Sequence, residues 1–231
     1  MRDLRPDLET LWRFVGRLTQ SKGGRSIMFM AALPEEGTTS VAASFALMTA
    51  ARSRRSTWLV ELDLCSGAVF DGFEAGFAAD VGRPGRAYDA SLGLPPIYDI
   101  LGPATPERKV RTKLLAVHQI SGTRLLATRF RTHLLGPRER VRLSTRPDWW
   151  AHLRRSADWI IADAPCLARS GAGLAVAAQM DGVVLVVQSD RTPPEAIVSL
   201  REEVEDHGGH VLGIVMTGTG GDARLVGRFA S

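Results

Sequence analysis

The residue types that phosphate chemistry uses gather at two kinds of place in this sequence. Glu36, Gly37, Thr38, Thr39 and Ser40 follow a compact apolar run and open an alanine-rich helical pattern. Between a strand and a helix, backbone N–H groups and the helix N-terminus face an anion, so these five residues are the candidate nucleotide-binding loop. The working motif is G-x-x-x-x-G-K-[ST], whose lysine meets the phosphates and whose hydroxyl meets Mg²⁺. Here Gly37 holds the last glycine position, Thr38 stands at the lysine and Thr39 keeps the hydroxyl. The second place is the end of two strand-like runs, where Asp63 and Asp163 offer carboxylates that can hold Mg²⁺ or orient a water. With Thr39 they form the candidate metal set, and they are the remnant candidates for catalysis. Cys65 and Cys166 each follow one of these acids and read as a redox pair, metal ligands or small buried hydrophobes. The five histidines, His118, His133, His152, His207 and His210, show no zinc-ligand spacing with the cysteines.

The elements that must position these residues follow from hydrophobic periodicity. Leu8, Leu11, Trp12, Val15 and Leu18 recur at helical spacing and predict an amphipathic N-terminal helix over about 7–20. Apolar runs predict strands at Ser26–Ala32, Trp58–Asp63, Arg124–Thr128, Trp159–Asp163, Gly182–Gln188 and Val211–Thr217. Helical patterns cover Thr39–Arg52, Trp149–Ser156, Leu174–Met180 and Pro194–His207. The Gly- and Pro-rich stretch Ser66–Pro96 reads as loop with a short helix near Phe70–Phe77, and Ile97–Leu101 reads as another short helix. Continuous apolar strands alternating with helices predict an α/β fold, a three-layer α/β/α arrangement on a mainly parallel sheet. In such folds ligands sit at the carboxyl ends of the strands, where all the candidates above lie.

The chain has 231 residues, of which 45% are apolar and 23% charged, and reads as a single domain over 1–231. No apolar run is long enough for a transmembrane helix, and Met1–Asp7 carries charges rather than a signal-peptide core. Two cysteines fit a reducing compartment, so the expectation is a cytoplasmic protein. The net charge is +4, yet Leu101–Arg155 holds 13 basic and 3 acidic residues, densest at Arg108, Lys109, Arg111 and Lys113. That stretch is either a solvated face or a surface for an anionic membrane, nucleic acid or an acidic partner.

Several segments together resemble bacterial tyrosine kinases (BY-kinases) and their exopolysaccharide-export relatives, a branch of the ParA/MinD-like P-loop ATPases. Against the family's loop, S-A-L-P-G-E-G-K-S-T, Ala32-Leu33-Pro34 and Glu36-Gly37 match, while Glu35 replaces a glycine and Thr38 the catalytic lysine. Leu59-Val60-Glu61-Leu62-Asp63-Leu64 resembles the family's second acidic motif, with Glu61 at its first Asp, and lacks the Arg and Pro that follow. Gly93-Leu94 and Tyr98-Asp99-Ile100-Leu101-Gly102 resemble G-L-x-D-x-L-x-G. Asp158-Trp159-Ile160-Ile161-Ala162-Asp163-Ala164-Pro165 resembles the Walker B-like strand. Met180–Val187 resembles D-G-V-L-L-V-V, and His210–Met216 resembles V-L-G-V-V-L-N with Thr217 in place of the base-contacting Asn.

The resemblance spans about Leu8 to Gly221 and implies a P-loop NTPase-like fold. The departures fall on the chemistry. The family's C-terminal tyrosine cluster is missing, since the only tyrosines are Tyr88 and Tyr98, and its N-terminal E-x-x-R-x-x-R element is not recognisable in Glu9–Arg13. The expectation is a degenerate, pseudokinase-like accessory or regulatory protein in exopolysaccharide biosynthesis and export. No cofactor is expected, with ATP and Mg²⁺ binding weak at most. The implied partner is the cytoplasmic part of a membrane co-polymerase or chain-length protein, with a homo-oligomer and peripheral contact with anionic membrane as further partners and nucleic acid not expected. The alternatives are an active ParA/MinD-like ATPase or tyrosine kinase with an altered loop, and a localisation module like the degenerate ATPases of pilus assembly.

Overall fold

The computed structural model describes residues 1–17, 23–102, 113–218 and 223–228. After a 3-10 turn at Arg5–Asp7, helix α1 (Glu9–Val15) leads to strand β1 (Arg25–Ala31), helix α2 (Thr38–Arg52), β2 (Ser56–Glu61) and α3 (Ala68–Glu74). Strands β3 (Pro84–Asp89), β4 (Tyr98–Leu101), β5 (Leu115–Ile120), β6 (Leu125–Phe130) and β7 (Arg140–Leu143) come next. Then follow α4 (Asp148–Ser156), β8 (Ala157–Asp163), a 3-10 helix (Leu174–Gln179), β9 (Gly182–Gln188), α5 (Pro194–Asp206), β10 (Val211–Thr217) and β11 (Ala223–Arg228).

Nine strands form one sheet in the order β11-β10-β9-β1-β8-β2-β6-β5-β3. The six from β10 to β6 run parallel, and β11, β5 and β3 pair antiparallel at the flanks. Residues Ile27–Ala31 and Val183–Val187 are buried throughout, because a parallel sheet covered on both faces has no solvent side. On one face lie α1, α2 and α3, with Leu8, Leu11, Val41, Phe45, Val69 and Phe73 in one apolar cluster. On the other lie α4, α5 and the Leu174–Gln179 turn, carrying Trp149, Trp150, Leu153, Val176, Leu200 and Val204. This is the expected three-layer fold.

Helix α2 is buried at every position from Val41 to Ala50. The sheet covers one side and the chain's own N-terminal segment the other, which is why its sequence is alanine-rich rather than amphipathic. The Leu4 N–H donates to Ser44 Oγ at 2.8 Å and the Arg2 N–H to Ser40 Oγ at 3.0 Å, while Arg52 pairs with Glu9 at 2.7 Å. Leu8, Leu11 and Val15 are fully buried beneath it, each contributing about 1.5–3 kcal/mol.

The structure corrects the sequence expectation in several places. The N-terminal helix is shorter than 7–20: it ends at Val15 and tightens into a turn at Gly16, a poor helix former, and residues 18–22 lie outside the described residues. Ile97–Leu101 is not a helix, because Tyr98–Leu101 forms β4, paired antiparallel with β7 in a separate two-stranded sheet. Four apolar-leaning residues do not distinguish the two states, and the distant partner strand decides. Part of the expected loop Ser66–Pro96 is strand β3, whose half-exposed edge pattern carries little hydrophobic signal.

Candidate phosphate and magnesium site

The loop between β1 and α2 is held by one buried carboxylate. The Glu36 side chain accepts a hydrogen bond from the Leu33 N–H at 2.9 Å and another from the Thr192 hydroxyl, while its carbonyl accepts from Thr217 Oγ1 at 2.8 Å. Glu36 is therefore committed to shaping the loop. Thr217, at the position of the family's base-contacting Asn, spends its hydroxyl on Glu36 and on the Val187 carbonyl. Gly37 takes φ 88, in the left-handed region, and starts α2 without a side-chain cap. The first-turn N–H groups at Thr38, Thr39 and Ser40 are thus available to an anion, with the helix dipole behind them. Thr38 brings no charge to this cradle.

Glu35 occupies the glycine position at φ 65, a conformation unfavourable for a residue with a Cβ. Its side chain is 80% exposed and pairs with Arg191 at 3.3 Å, so the carboxylate projects to the rim of the loop. The negative charge that Glu35 adds in place of a glycine thus has a neighbouring cation.

Asp163, at the end of β8, is buried, and the Thr39 hydroxyl lies beside it. Its Oδ1 has no hydrogen-bond partner. Burial pushes the carboxyl up to about 7; the Thr39 hydroxyl opposes this and the charge of Asp63 adds to it. A buried carboxylate with a spare oxygen beside a hydroxyl fits Mg²⁺, which keeps several waters and needs few protein ligands. Thr39 and Asp163 are the residues that would hold the ion. Among the described residues no group of three His, Cys, Asp or Glu side chains converges to hold a metal by itself.

Asp63 joins this pair only through its field. Its carboxylate pairs with Arg169 at 3.1 Å and accepts the Cys65 N–H at 3.3 Å. Glu61, opposite Asp163 in register, is buried and pushed up to about 8, first by burial and then by the charge of Asp163. It accepts the Val69 N–H at 3.4 Å, so it faces the start of α3. Cys65 and Cys166 are both free thiols; partial burial, then Asp63, raise the Cys65 pKa, which makes it a poor nucleophile at neutral pH.

Beside Asp63 opens a cleft of about 650 Å³ walled by the β4–β7 pair, with Asp99, Arg142, Arg146 and Ser170 in its lining. No local sequence pattern marks this cleft, since it is built by two short strands about forty residues apart. Arg108, Lys109 and Arg111 of the dense basic cluster lie outside the described residues, and Lys113 pairs with Asp89 at 2.5 Å. Two arginines from the rest of the basic stretch are engaged within the fold. Arg154 turns inward to Ser26 and the Gln179 carbonyl, and Arg124 donates to the Ser53 carbonyl.

No protein-family model and no curated protein matches the chain. Solved structures do. The VpsO kinase domain superposes with a TM-score of 0.60 at 16% identity, over 91% of this chain and 92% of that one. The kinase domain of the Escherichia coli tyrosine kinase ETK gives 0.54 at 16% identity, over 90% and 72%. The Pyrococcus furiosus cell division ATPase MinD gives 0.56 at 16% identity, over 86% and 75%. The chain therefore has the P-loop fold shared by bacterial tyrosine kinase domains and MinD-type ATPases.

Proposed function

We propose that this chain is a P-loop protein of the BY-kinase type whose phosphotransfer chemistry has decayed and which acts as an accessory or regulatory subunit in exopolysaccharide biosynthesis and export. The observation that carries the reading is the asymmetry of the site. The Thr39–Asp163 contact persists, while the first turn of α2 has Thr38 where a lysine would neutralise phosphate. Phosphoryl transfer rests on positioning and charge neutralisation. A lost charge-assisted contact costs about 1.5–3 kcal/mol in binding, roughly ten- to a hundredfold. MgATP is accordingly expected to bind weakly, and calorimetric titration tests this: a low-micromolar dissociation constant would sink the reading. Tyr88 is exposed on the edge strand β3 and Tyr98 sits on β4, so neither belongs to a tail that a neighbouring copy could offer. Incubation with MgATP should leave both unphosphorylated.

The partner in this reading is the cytoplasmic segment of a membrane co-polymerase. Arg108, Lys109, Arg111 and Lys113 would give a salt-sensitive attraction to it or to anionic lipid. Co-sedimentation with anionic vesicles and pull-down of such segments, at low and physiological salt, should weaken when all four become Ala. A MinD-type ATPase with an altered loop is the second reading, favoured by the unpartnered Asp163 Oδ1. The Pyrococcus horikoshii MinD structure, with a TM-score of 0.53 at 14% identity, holds Mg-ADP. Steady release of phosphate from MgATP, lost in Asp163→Asn, would favour that reading over the first.

A further inference from the structure

We propose that Arg191, on the loop after β9, supplies the positive charge that Thr38 does not, and that an anionic phosphate ligand draws its guanidinium away from Glu35. This rests on the reading of the α2 N-terminus as a phosphate site and deepens it by naming the cation. The spare oxygen of buried Asp163 beside Thr39 marks that helix end as built for a ligand.

Three observations converge on Arg191. The first is where it is parked. Its Nη2 donates to Glu35 Oε2 at 3.3 Å and its Nη1 to Gln188 Oε1 at 3.2 Å, so it already touches the phosphate loop. The second is how its loop is fastened. Thr192, the next residue, donates its hydroxyl to the buried Glu36 carboxylate, and Thr217 on the neighbouring strand donates to the Glu36 carbonyl. The two loops are tied to one another, and the arginine lies within reach of the cradle. The third is strain. Among the described residues only Glu35, Leu92 and Asp190 are non-glycine residues at positive φ, and two of these are Glu35 itself and Asp190, the residue before Arg191. Strained backbone persists where the surroundings enforce it, and it clusters at ligand clamps.

The exchange is chemically easy. Arg191 and Glu35 are 44% and 80% exposed, and an ion pair in water is weak. A guanidinium fork binds two phosphate oxygens at once, a stronger contact than this single long hydrogen bond. Arg169 is another arginine near the site, but it neutralises Asp63, whose charge already acts on Asp163. Moving it would leave two carboxylates facing one another without a cation, whereas moving Arg191 strands only an exposed glutamate.

The test is calorimetric titration with MgATP of the wild type, Arg191→Gln, Glu35→Gln, the double variant and Thr38→Lys, with thermal melts to show that each is folded. Arg191→Gln should weaken binding by about fivefold or more, and Glu35→Gln should tighten it by a few fold by freeing the arginine. The gain should vanish in the double variant, and Arg191→Lys should restore part of the loss. Unchanged affinity in Arg191→Gln overturns the proposal. So does silence of both the wild type and Glu35→Gln. In that case binding by Thr38→Lys leaves a decayed phosphate site standing and removes only the role of Arg191, while silence there too removes the phosphate reading itself.

Discussion

The two sides of the α2 N-terminus have kept different things. Toward β8, Thr39 and Asp163 still touch, and the buried carboxyl retains an oxygen for a cation. Toward β9, the loop has Thr38 and Glu35 where the resemblance calls for lysine and glycine, and its remaining polar groups are turned to holding it in place: Glu36 to Leu33 and Thr192, Thr217 to Glu36. The β8 side could still bind Mg²⁺; the β9 side works as a joint between strands. The hydrogen bonds that shape the loop are made by Glu36, Thr192 and Thr217 and not by Thr38, so the residue at the lysine position can change without disturbing the loop's shape.

The largest effect that would sharpen this contrast is the response of the free protein to pH. Asp163 and Glu61 both hold their protons more tightly folded than unfolded. Their stabilisation is full below the ordinary carboxylate range and is lost as pH rises through about 7 and then about 8. Denaturant titrations should show stability falling across that window by about 1.4 kcal/mol per pH unit for each of the two groups. Asp163→Asn should flatten the lower part of the curve, and added Mg²⁺ should stabilise the wild type more at the alkaline end, where Asp163 is ionised. A flat profile in the wild type would mean that the β8 side is not the buried acid pair described above.

Next in size is repair of the β9 side. Glu35→Gly with Thr38→Lys removes a strained residue and restores a cation, and should tighten MgATP by roughly ten- to a hundredfold. If the folded double variant ignores nucleotide, the two sides have both been lost and the contrast collapses. The smallest effect concerns the joint. Thr217→Val keeps the shape of the side chain but removes the hydroxyl that bonds the Glu36 carbonyl, and should destabilise by about 1 kcal/mol. It should leave Mg²⁺ stabilisation at alkaline pH unchanged. A loss there would show that the two sides are coupled.

The central strands β1, β2, β8, β9 and β10 were legible because each is a run of apolar residues buried on both faces, and Asp163 followed as the acid at the end of one of them. The flanks were not. Tyr98–Leu101 becomes a strand only because Arg140–Leu143 lies opposite, and Pro84–Asp89 is an edge with alternating exposure and a proline at its start. In the site, Gly37, Thr38 and Thr39 could be read from local order alone. The commitment of Glu36 and the parking of Arg191 could not, since both depend on contacts with a loop 156 positions away. No local pattern carries a pairing set by which strands become neighbours.

The place of β1 in the sheet also fixes when it can fold. Its two neighbours are β8 and β9, beginning at Ala157 and Gly182. During synthesis the strand that leads into the phosphate loop has no partner until roughly two-thirds of the chain has been made. By contrast β2, β6, β5 and β3 can pair among themselves as soon as Phe130 has emerged. The nascent chain thus carries an assembled flank and an unpaired, largely apolar β1 side by side until β8 slides between them. That interval is when the chain most needs shielding from other chains.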